Sequence, residues 1–123
     1  MGQSGCILSA DESDEYYTDE RCHILELSNS TADEDLSIAR ARVEPGVATR
    51  LHCVAGTTER YVVQQGTGRV SVAGLPDADV QVGDVVVIPP GAAQSVVNTG
   101  DVDLIFLCVC TPRFEWDNYE SLE

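Results

Sequence analysis

His52, Glu59 and Gln94 are the side chains in this sequence best suited to do chemistry together. Each lies in a short β-type run bounded by Gly, Pro or Asn. An imidazole and a carboxylate form an acid–base pair, or two ligands for a first-row divalent ion. An amide oxygen adds a weak, neutral third ligand. With water completing the shell, such a set can hold Zn, Mn, Fe or Ni. The same groups can instead satisfy one another, with His52 donating to Glu59 and Gln94 bonded to both, and line a polar pocket without metal. Burying them together costs desolvation that an apolar core avoids, which argues that the pocket is used. The chain has two histidines. The other one, His23, or the thiol of Cys110, completes a metal set only if the fold brings it there.

Strand alternation extends the list. Arg50 and Val54 share parity with His52, Tyr61 and Val63 with Glu59, and Val96 with Gln94. Arg50 reads in two ways: a guanidinium fork for a ligand carboxylate or phosphate, or an arginine reaching outward, the second being the commoner case. Tyr61 is able to offer its hydroxyl to a ligand, or to stand as a core aromatic with a polar tip. Cys108 reads as core, and Cys110 as either core or a thiol at the pocket mouth. Arg40 and Arg42 share one face of a strand whose other face carries Ala39, Ala41 and Val43, so they are expected to point outward.

The elements that must position these groups are short strands. Residues 1–20 are polar and acidic and predict a flexible arm, with Tyr16 and Tyr17 as its anchors. Residues 21–111 predict one β domain. Its runs are Arg21–Leu27, Leu36–Val43, Thr49–Val54, Arg60–Gln65, Thr67–Ala73, Val85–Ile88, Gln94–Asn98 and Asp103–Thr111. The punctuation between them is AGTT, GTG, GLPDAD, GD, PPGAA and NTGD. Many short strands with regular turn signals indicate an all-β sandwich or barrel. Residues 112–123 hold Phe114, Trp116 and Tyr119 and predict a tail folded back over the barrel.

Two stretches carry a family resemblance. From Gly46 to Gly66 the chain reads G-VATRL-H-C-V-AGTT-E-RYVVQQ-G, and from Gly83 to Asn98 it reads G-DVVVI-P-P-G-AA-Q-SVV-N. They resemble the two signature motifs of the cupin superfamily in every spacing. The resemblance implies a double-stranded β-helix, the jelly-roll barrel, and a metal site of three histidines and one glutamate. His52 and Glu59 occupy two of those ligand places, whereas Val54 and Gln94 stand where the other two histidines belong. The flanking segments look like small single-domain bacterial cupins. The implied function is small-molecule binding in the barrel, with metal-dependent isomerase- or lyase-type chemistry on a small polar substrate. The alternative is a ligand-binding or structural dimeric cupin without catalysis. Homodimers are implied too, with RCHILEL as an exchanged edge strand.

Bulk composition narrows the partners. The 123 residues carry 21 acids against seven arginines, with no lysine and a net charge of −14. That balance excludes partners held by phosphate neutralisation, both nucleic acid and anionic membrane. It suits a strongly solvated surface, or one adapted to high salt. The five cysteines are odd in number and form no C-x-x-C pair. With no basic-then-apolar leader at the N-terminus, a reduced, cytoplasmic protein is expected.

Overall fold

The structure is a computed structural model that describes residues 4–123. Its strands are β1 (Tyr16–Tyr17), β2 (His23–Ser28), β3 (Ser37–Val43), β4 (His52–Val54), β5 (Thr58–Gln65), β6 (Thr67–Val72), β7 (Ala78–Gln81), β8 (Val85–Ile88), β9 (Gln94–Asn98), β10 (Leu104–Thr111) and β11 (Tyr119–Ser121). They form a six-stranded sheet in the order β1-β2-β3-β10-β5-β8 and a five-stranded sheet in the order β11-β4-β9-β6-β7. Neighbouring strands run antiparallel in both sheets. Consecutive strands often lie on opposite sheets, which is the double-stranded β-helix that the motif spacing implies.

Alternation builds the core. On β10, Leu104, Phe106 and Cys110 are buried, and on β5 so are Glu59, Tyr61 and Val63. Val86 and Ile88 of neighbouring β8, and Val54, Val70, Val72 and Val96 from the facing sheet, complete the interior. These β-branched and aromatic side chains suit a pleated, half-buried surface. Arg40 and Arg42 do point outward: they clasp Glu12, Glu15 and Asp103, and the pairing with both arginines holds Glu15 far below the usual carboxylate range, at about 2.

Two signature residues act structurally as their types dictate. Gly66 has φ +81°, and a Cβ there would lie 2.9 Å from the backbone oxygen of Asp103, so only glycine fits. The Asn98 amide donates to the carbonyls of Val43 (2.9 Å) and Val102 (2.8 Å), while its oxygen accepts from the Gly100 N–H (2.9 Å). It thereby closes the turn after β9 from the inside.

Both ends of the chain pair with the sheets. The acidic arm is tied down from Tyr16 onward: β1 pairs with β2 through Tyr16↔Ile24 and Tyr17↔His23. The turn between them is closed by Thr18, whose N–H and hydroxyl both donate to the Cys22 carbonyl at 2.9 Å. Arg21 takes a left-handed φ of 67° in that turn and donates to the Ala48 carbonyl at 2.7 Å. Residues 1–3 of the expected arm lie outside the described residues. At the other end, β11 adds an edge to the second sheet, with Tyr119 opposite Val54 and Ser121 opposite His52. Among the described residues no helix is long and apolar enough to cross a membrane.

Candidate functional site

His52 opens β4, and its register partner on β9 is Gln94. Glu59 lies on β5, on the other sheet, opposite Cys110 of β10 and Ile88 of β8. His52 is 6 %, Glu59 9 % and Gln94 1 % exposed. All three side chains therefore enter the space between the sheets, as their parity requires.

Gln94 also bridges the two sheets. The Tyr61 hydroxyl donates to the Gln94 amide oxygen across the two sheets. Tyr61 and Gln94 are thus a buried cross-link, and the oxygen proposed as a metal ligand already has its partner. Tyr61 is packed against Phe106 at 4.5 Å between ring centroids. Burial pushes its hydroxyl far above the ordinary tyrosine range, so it remains a neutral donor.

The imidazole of His52 is oriented from behind. Its Nδ1 lies 2.7 Å from the carbonyl oxygen of Arg50. A carbonyl only accepts, so Nδ1 carries the hydrogen and Nε2 keeps its lone pair when the ring is neutral. The ring stacks on Tyr119 at 5.1 Å, inclined by 26°. Arg50 contributes that carbonyl and not its side chain. Its guanidinium donates from Nε to the Asp19 carbonyl at 2.6 Å and does not line the pocket, which corrects the ligand fork expected from parity. Arg50 lies two residues ahead of β4, in irregular backbone, where alternation does not hold.

Glu20 is the residue that strand reasoning missed. It sits in the β1–β2 turn, whose tip is fixed to residues 48–50 by the Arg50 N–H to Glu20 O bond (3.1 Å) and by Arg21 on Ala48. Its side chain is 12 % exposed, and its Oε2 lies 3.4 Å from His52 Nδ1. That oxygen has no hydrogen-bond partner, and neither has Oε1 of Glu59. Burial raises the Glu20 carboxyl to about 7, with the Tyr119 hydroxyl opposing. Burial likewise raises that of Glu59, opposed by the Gln94 amide and by His52.

These groups face a cavity of about 50 Å³ between the sheets. Glu20, His52, Glu59 and Val54 line it, with Glu26, Cys108 and Cys110 on the sheet side and Phe114, Trp116 and Tyr119 over the mouth. A void of about 20 Å³ behind it shares Glu20, His52, Glu59 and Cys108 and reaches Tyr61. Cys110 is therefore both buried and pocket-lining, and burial pushes its thiol up to about 12, which keeps it protonated and a poor ligand. His23 is remote, held by Glu44 at 3.2 Å and packed against Tyr17 at 4.8 Å between ring centroids, tilted by 60°.

The residues present do not fit the four-ligand ion of the resemblance. Val54 has no donor atom, the Gln94 oxygen is taken, and His23 lies elsewhere. Among the described residues, no group of three His, Cys, Asp or Glu side chains is arranged to hold a metal ion.

Comparison with known proteins supports the scaffold. The Cupin domain family model matches residues 39–110. An uncharacterized protein of Methanocaldococcus jannaschii is 32 % identical over 87 residues, 71 % of this chain and 69 % of that one. The oxalate-binding protein of Thermotoga maritima is 37 % identical over 71 residues, 58 % of each chain. A solved structure of Bacillus subtilis oxalate decarboxylase superposes with a TM-score of 0.77 at 26 % identity, covering 89 % of this chain and 30 % of that enzyme. With both signature motifs in register on a double-stranded β-helix, the chain belongs to the cupin family.

Proposed function

We propose that this cupin binds a small polar molecule between its two sheets, beside Glu20, His52 and Glu59, and does so without the family's three-histidine ion. One observation carries the reading. Two carboxylate oxygens, Glu20 Oε2 and Glu59 Oε1, are buried without a hydrogen-bond partner, and both side chains line the same cavity. An unsatisfied buried acceptor costs on the order of 1–3 kcal/mol, and more when charged. A ligand that brings N–H or O–H donors removes that cost, so the empty pocket is poised to bind one.

The same groups support proton transfer. His52 presents Nε2 as a base, and the two carboxyls, whose pKa values burial raises, supply acids. Isomerase- or lyase-type chemistry on a small polar substrate is within reach of such a set. Oxalate, named for one relative, suits this pocket poorly. All seven arginines donate to acceptors elsewhere, none lines the cavity, and the chain has no lysine. A dianion would meet carboxylates with no protein cation to offset them.

The test is a thermal-shift screen of small amines, polyols, sugars and dicarboxylates on the wild type and on Glu59→Gln. Compounds that stabilise the wild type and lose their effect in the variant support the reading. A screen in which no stabilising compound depends on Glu59 contradicts it.

A further inference from the structure

We infer that the ligand is a small organic cation, an alkylated ammonium group held between the aromatic mouth and the buried carboxylates. This deepens the pocket reading above and rests on it. Glu20, Glu26 and Glu59 bring three carboxyls to a cavity that no arginine lines. Glu59 is 9 % exposed with one oxygen unpartnered, so the negative side of the site is both dry and unsatisfied.

The second observation is independent of charge. Phe114, Trp116 and Tyr119 form a continuous aromatic wall over the same cavity. The Phe114 and Trp116 rings meet at 5.0 Å and 81°, and the Trp116 and Tyr119 rings at 5.2 Å and 61°. Edge-to-face rings turn their negative faces in different directions, which suits a rounded cation rather than a flat neutral ring. Trp116 remains 46 % exposed although it is the largest aromatic side chain, so it caps the site without being consumed by the core. A cavity of about 50 Å³ admits a head of about four heavy atoms, the size of trimethylammonium.

The remaining titratable groups facing the cavity are His52, Tyr119, Cys108 and Cys110. Burial keeps the tyrosine and both thiols protonated, so the three carboxyls are the acidic groups of the cavity that can carry negative charge. A cation favours ionised carboxylates. They attract a cation and repel an anion.

Calorimetry with trimethylammonium, tert-butanol and oxalate tests the inference. Trimethylammonium is expected to bind and tert-butanol, a neutral molecule with the same three methyl groups, to bind at least tenfold more weakly (about 1.4 kcal/mol). Glu59→Gln is expected to weaken binding about tenfold, and Trp116→Leu about fivefold, with Trp116→Phe recovering part of the loss. Equal binding of tert-butanol, or binding of oxalate alone, overturns the cation and leaves the pocket standing. Saturable binding of none of the three overturns both.

Discussion

The Glu20 carboxylate lies 3.4 Å from Nδ1 of His52, although Glu20 comes from a turn ahead of the barrel and His52 from its first signature motif. Nδ1 is committed to the Arg50 carbonyl at 2.7 Å, so the imidazole satisfies the backbone first and leaves the carboxylate oxygen unpaired. The pair therefore stores an electrostatic cost in the unliganded protein, and its consequences are measurable.

Glu20 makes the protein less stable at high pH. Its folded pKa of about 7 lies above the ordinary 4.5. The contribution of a raised group is fully present below its unfolded pKa and is lost as pH rises through the folded value. The window runs from about pH 4.5 to just above 7. Glu20→Gln is expected to match the wild type in denaturant titrations near pH 4.5 and to exceed it at pH 8, by on the order of 3 kcal/mol. A difference independent of pH would show that Glu20 is not buried as a carboxyl.

Tyr61→Phe removes the cross-sheet bond and strands the Gln94 oxygen at a position 1 % exposed. A loss of about 1–3 kcal/mol is expected in chemical denaturation. Adding Gln94→Leu, which removes the stranded acceptor, is expected to recover part of it. If the double variant is as unstable as the sum of the singles, the two side chains do not act as a pair.

The aromatic mouth guards Cys110, which is 2 % exposed. Trp116→Ala and Tyr119→Ala are expected to speed its alkylation by a small thiol reagent at least tenfold, followed site by site with peptide mass spectrometry. Cys6, exposed and distant, serves as the internal control and should not change. Unchanged Cys110 reactivity would mean that the tail does not close the pocket.

Metal analysis addresses the ligand count. Protein purified without chelator is expected to hold less than about a tenth of an equivalent of Zn, Mn, Fe or Ni, since two of the family's four donors are replaced. Near-stoichiometric metal that disappears in His52→Ala and Glu59→Ala would contradict that expectation.

Much of this architecture is written in the signature motifs. Gly66, Gly91 and Asn98 each hold a turn against a distant strand, to Asp103, Val54 and Val43 respectively, so their spacing reported the fold and the strands that bear His52, Glu59 and Gln94. Parity within a strand also placed those three side chains inside. Two things were hidden. Arg50 precedes β4, and parity read through irregular backbone turned its side chain the wrong way. Glu20 reaches the pocket through the bonds that tie its turn to residues 48–50, and Trp116 and Tyr119 through the pairing of β11 on β4, between segments with no apolar alternation to announce them. The signal for Glu20 was faint: a Thr-Asp-Glu-Arg turn just ahead of the first apolar strand. The tail's three aromatics were a stronger one, since apolar rings in a polar segment seek a surface to cover.

The most direct measurement follows the two imidazoles by ¹H–¹⁵N NMR while trimethylammonium is added, with His23→Gln giving the assignment. The expected result is a His52 whose Nδ1 carries the hydrogen bonded to the Arg50 carbonyl, with its Nε2 signal moving to saturation while His23 stays still. A His52 with its hydrogen on Nε2 alone, or resonances that move together or not at all, would contradict a ligand site built on Glu20, His52 and Glu59.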